Sequence, residues 1–107
     1  MKNHLSPVIV LLLLVTSAHA ADSRQFVQLP EMMREHMMHN MRDHLQALQN
    51  ITRQLSDGEY EAAADTAEQR LGMSSMQSHG ASHMAPYMPK GMQAAGTDMY
   101  HAASVLP

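Results

Sequence analysis

Residues 31–58 read EMMREHMMHNMRDHLQALQNITRQLSDG, and the fold turns on how the apolar positions in this run are spaced. Met37, Met41, His44, Leu48, Ile51 and Leu55 recur at intervals of four, three, four, three and four, the signature of one helix face turned toward a core. Pro30 followed by Glu31 predicts the start, because proline's missing N–H is not needed in the first turn and an acid there complements the helix dipole. Asp57-Gly58 predicts the stop. Beyond it Tyr60, Ala64, Ala67 and Leu71 repeat the stripe, with Asp57 as the expected N-cap of a second helix and Gly72 as its C-terminal stop. Alanines on that stripe imply close approach, and so short a turn predicts an antiparallel hairpin.

Composition changes at residues 73–91 (MSSMQSHGASHMAPYMPKG), which are rich in Met, Ser, His, Gly and Pro. A short helix is expected from about 73 to 84, weakened at Gly80 by about 1 kcal/mol relative to alanine, with Pro86 and Pro89 ending it. Met92, Ala95, Met99, Ala102 or Ala103, and Leu106 form a last helical stripe that Pro89 can begin. There is no strand pattern and no internal repeat. The expected class is all-α: a helical hairpin plus a C-terminal helix, a three- to four-helix bundle over residues 31–107.

The other end of the chain predicts where it works. Lys2 precedes an eight-residue apolar run, VIVLLLLV at 8–15, and Ala18-His19-Ala20 has small residues where a signal peptidase cuts, so residues 1–20 read as a secretory signal peptide. Eight apolar residues are too few to span a bilayer. Residues 21–30 read as an extended lead-in, and the mature chain is expected to be exported, periplasmic or equivalent, without a membrane span. The chain has a net charge of −3 and its basic residues are scattered, which argues against a nucleic-acid partner. It has no cysteine, and this excludes disulfides, thiolate metal sites and covalent haem attachment. A domain this small has a correspondingly small core, so a bound ligand or a second chain, as in a homodimer, would add stability.

Twelve methionines and eight histidines are the chemical peculiarity of the chain. Met37, Met41, Met92 and Met99 lie on core stripes and read as packing. Met32, His36, His39 and Asp43 do not. At 100° per residue they share an arc of about 60° on the far side of the first helix, at spacings of four, three and four. A second group follows Gly72: Met76, His79 and His83 form one row if the segment is helical, with Met84 and Met88 close behind. His79 and His83 have the i,i+4 spacing at which two imidazoles grip one ion. Any single histidine is more often a solvated surface residue. Clustering with methionine in two places points to metal, and thioethers with imidazole and no thiolate point to copper before zinc or nickel. No nucleophile-and-base arrangement or carboxylate pair suggests an enzyme. The expected role is copper storage, delivery or sensing, with an unidentified envelope protein giving or taking the ion.

Thr97-Asp98-Met99-Tyr100-His101, in the terminal helix of a small exported bundle, resembles the place where cytochromes of the c-prime type carry Cys-x-x-Cys-His, with Thr97 and Tyr100 standing where the cysteines would be. Related b-type four-helix cytochromes place their other axial ligand near the start of the first helix, here Met32 or Met33. This resemblance implies a non-covalent haem electron carrier with His101 and Met32 or Met33 as ligands. His101 lies about 160° from Met99, away from the core stripe. The Met- and His-rich first helix also resembles exported helical-hairpin metal sensors and envelope chaperones, and Ile51-Thr52-Arg53-Gln54 echoes the Leu-Thr-x-x-Gln signature of one such family. That resemblance implies a chaperone or sensor module using methionine as an adaptable apolar surface.

Overall fold

The computed structural model describes residues 21–106, so the expected signal peptide at 1–20 lies outside the described residues. Residues 21–30 carry no helix or strand. Four helices follow: α1 (Glu31–Ser56), α2 (Tyr60–Arg70), the single turn α3 (Ala81–Met84) and α4 (Lys90–Ser104), with 3-10 turns at Met73–Ser75 and Ala85–Tyr87. The protein is all-α among the described residues, and none of its helices is long and apolar enough to cross a membrane.

Pro30 and Pro89 stand immediately before α1 and α4, as their fixed φ favours. α1 packs along α2, and α4 packs on the other contact face of α2. Ala47 and Ala63 are completely buried where α1 meets α2; Ile51, Ala67 and Leu71 extend that core, and Ala103 and Leu106 close it from the α4 end. Alanine at the crossing lets the two backbones approach closely, which explains why so small a set of residues excludes water.

The inward face of α1 is rotated from the one its hydropathy predicts. Asn40, Ala47 and Ile51 are buried, whereas Met41, Leu48 and Leu55 are 45%, 52% and 37% exposed. The predicted stripe straddles two faces, with Met37, His44 and Ile51 on the core side and Met41, Leu48 and Leu55 on the solvent side. The second stripe shifts in the same sense: Ala63, Ala67 and Leu71 are buried while Tyr60 is exposed. Asp57 does not cap α2, which begins at Tyr60 behind Glu59 without a side-chain cap.

α2 ends at Arg70, and at Gly72, two residues on, nothing larger fits. A Cβ there would lie 2.5 Å from Glu68 Oε2 and 2.8 Å from both Glu68 Cα and Ser104 Oγ. Around it Glu68 accepts from the Ser74 amide (3.0 Å) and the Ser74 hydroxyl, and the Met73 amide donates to Ser104 Oγ (2.8 Å). These bonds tie the end of α2, the following loop and the end of α4 together. The continuous helix expected from 73 to 84 does not form. Gly80 adopts φ 66°, a left-handed conformation that L-residues avoid, and α3 starts on its far side.

Candidate metal centre

The left-handed turn at Gly80 decides the site. It separates His79 from His83, so the expected i,i+4 pair is not formed: His79 is 8% exposed and turned inward, while His83 is exposed on α3. His79 instead joins the first helix. Asn40 Nδ2, buried on α1, donates to the His79 carbonyl at 2.9 Å. The His79 ring lies against His44 with centroids 4.7 Å apart and planes tilted by 58°. His36, one turn before Asn40, brings Nε2 to 3.4 Å from the point where a Cβ on Gly80 would stand, and the Met84 methyl lies 3.7 Å from the same point. His36 of the first sequence group and His79 and Met84 of the second thus lie around the Gly80 turn, with His44 against the His79 ring.

Hydrogen bonding orients the buried ring. Ser75 Oγ donates to the Gly72 carbonyl at 2.7 Å, so toward His79 Nδ1, 3.4 Å away, it can only accept. Tyr100 Oη, on α4, is 3.1 Å from the same nitrogen. The Tyr100 hydroxyl can donate to Nδ1 or accept from it, and under either tautomer these contacts hold the ring in place through Nδ1. Metal-binding imidazoles are commonly held in this way, through the nitrogen that does not bind the ion. His44 Nε2 is buried and, among the described residues, has no hydrogen-bond partner.

Burial holds His79 below the ordinary imidazole pKa, with His44 and His36 adding like-charge repulsion and Asp43 opposing it. Burial also lowers His44, against the pull of Asp43. Burial raises the Tyr100 phenol. The rings at the centre are therefore neutral near pH 7, the form that ligates.

A shallow depression of about 360 Å³ opens beside the cluster, lined by His36, His39, Asn40, Asp43, Gln69, Arg70, Ser78 and His79. Asp43 is engaged there as a strut. Arg70 Nη2 and Nε reach its carboxylate at 2.5 and 3.3 Å across the α1–α2 interface, and that guanidinium holds its pKa below the usual carboxylate value. This pairing engages the Asp43 carboxylate with Arg70 in the structure as it stands. His39 is exposed on the rim. Met32 is 83% exposed near the start of α1, Met33 is half-buried one residue on, and Met76 and Met88 are half-buried at the ends of the loop. His101 is exposed on α4, next to buried Tyr100.

Among the described residues no three His, Cys, Asp or Glu side chains converge tightly enough to hold an ion by themselves. Sequence reasoning assigned His44 to the packing stripe and passed over Asn40, Ser75 and Tyr100. His44 was recoverable as a titratable residue two turns beyond His36. Tyr100 is 21 residues from His79, and no local pattern announces their contact.

Fold and site together define a small all-α hairpin protein with a histidine and methionine cluster, buried at His79 and Met84, at its connecting loop. No family model matches the chain, and no curated protein or solved structure matches it.

Proposed function

We propose that this is an exported copper-binding protein that holds Cu(I) between imidazole and thioether side chains, for storage, delivery or sensing, without catalysis. One observation carries the reading. His36 and His44 of α1, His79 of the loop and Met84 of α3 come together from separate elements around Gly80, with His79 oriented through Nδ1. The neutral state of the buried rings and the softness of the thioether both favour Cu(I) over harder divalent ions.

The test is an anaerobic competition titration against a Cu(I) chelator. His36 is exposed, so His36→Ala leaves the helices intact by circular dichroism, and it is expected to weaken binding by at least about tenfold. His83→Ala, on the far side of Gly80, is expected to leave affinity unchanged. Equal affinity in the parent and His36→Ala, or a loss confined to His83→Ala, would defeat the assignment.

A further inference from the structure

α1 carries a second apolar row. Met38, Met41, Leu45, Leu48, Thr52 and Leu55 alternate at three and four residues without a break, the a and d positions of a heptad pattern. The five apolar members are between 37% and 69% exposed, and they span about 26 Å of helix. The row's one polar member is already satisfied, since Thr52 Oγ1 donates to its own Leu48 carbonyl at 2.8 Å and needs no water. We propose that this row is the seam of an antiparallel homodimer in which two α1 helices pair about a two-fold axis between Leu45 and Leu48.

Self-complementarity points to a second copy as the occupant. An antiparallel two-fold at that place sets Leu45 opposite the other chain's Leu48, Met41 opposite Thr52, and Met38 opposite Leu55, so that a positions meet d positions throughout. Shape and charge agree with this register. Arg34, Glu35, Met38 and Arg42 line an open depression of about 390 Å³ on α1, beside the position that a leucine from the facing helix reaches. In this register the incoming knob is Leu55, and it arrives beside the acidic turn containing Asp57, Glu59 and Glu61, with Glu59 opposite Arg34. A parallel pairing sets Arg34 and Arg42 against their own copies instead. The two hairpins joined in this way form a four-helix arrangement with α1 and its copy at the centre.

The chain has no cysteine, so introduced ones report directly. Met38→Cys and Leu55→Cys placed in the same chain lie about 26 Å apart along one helix and cannot bridge within it. Under mild oxidation the double variant is expected to form covalent dimers, and each single variant to remain uncrosslinked. Sedimentation of the unmodified protein is expected to show a reversible dimer. Leu45→Glu, at a residue exposed in the monomer, should weaken that dimer by about 100-fold or more with helicity retained. A parent that sediments as a monomer up to about 100 µM, a dimer indifferent to Leu45→Glu, or crosslinking through Met38→Cys alone would each overturn the proposal. If Leu45→Glu fails to fold, the cysteine variants decide.

Discussion

On α1 the face carrying Asn40, His44, Ala47 and Ile51 and the face carrying Met38, Met41, Leu45, Leu48 and Leu55 lie about 100° apart. The first is small and partly polar, yet buried; the second is large and apolar, yet open to solvent. Burial on this helix follows how closely a neighbour can approach and which polar groups it brings. Ala47 admits the α2 backbone, and Asn40 is taken inside because the His79 carbonyl accepts from it. A leucine row has neither property and faces away from the hairpin. In this protein hydropathy marks where contact can form, and size and hydrogen bonding decide which contact the hairpin makes.

The sharpest way to break this contrast is to exchange the character of its two adjacent members. Ala47→Leu pushes three more carbons into a closed helix crossing and is expected to cost about 1–3 kcal/mol in chemical denaturation, or more if α2 is displaced. An unchanged midpoint would show that the crossing is loose and that alanine there is incidental.

Acid should act on the inner face alone, with a smaller effect. His79 and His44 have folded pKa values below their unfolded ones, so between those values the unfolded chain binds more protons, and stability rises with pH. Their contribution is complete above the unfolded value of about 6.5 and falls as pH drops toward the folded values. Asp43, also depressed by Arg70, adds a loss of the same sign at lower pH. Denaturation midpoints are expected to decline below about pH 6.5. Replacing both His44 and His79 by glutamine should flatten the upper part of that decline, and an equally steep profile in that variant would assign it to other groups.

The smallest expected effect is on the outer face. Leu48→Ala, measured at dilution where the chain is monomeric, is expected to cost less than about 1 kcal/mol, because half of the side chain already sees water. A loss as large as that expected for Ala47→Leu would mean that Leu48 is covered in the monomer, and the two faces would no longer differ.

Most of the architecture was legible in the sequence. The start of α1 at Pro30, the break at Asp57-Gly58 and the start of α4 at Pro89 all follow from backbone chemistry, which is local; the need for glycine at 72 comes from Ser104, 32 residues away. The rotation of the core face was not legible, because a hydropathy stripe weights Leu48 above Ala47 and cannot know that α2 approaches closely enough to favour the smaller residue. The site was half legible. His36 and His79 carry ligand chemistry in their own right, but their meeting depends on the left-handed turn at Gly80 and on a bond between Asn40 and a main-chain carbonyl 39 residues away. The ion pair of Asp43 was not legible for a related reason: its guanidinium partner lies on another helix, 27 residues distant.

The Asn40 bond to the His79 carbonyl also sets an order of events. The hairpin contacts close over a short loop, whereas the docking of residues 73–89 spans a longer one and requires α1 to be formed first. That segment contributes Met84 to the core but holds otherwise through hydrogen bonds at its ends and middle, including Gln93 Nε2 to the Ala85 and Met88 carbonyls. It is therefore expected to lift in a sub-global opening that leaves α1 and α2 paired. In hydrogen exchange the amides of His79 and Met84 should lose protection together, well before those of Ala47 and Ile51.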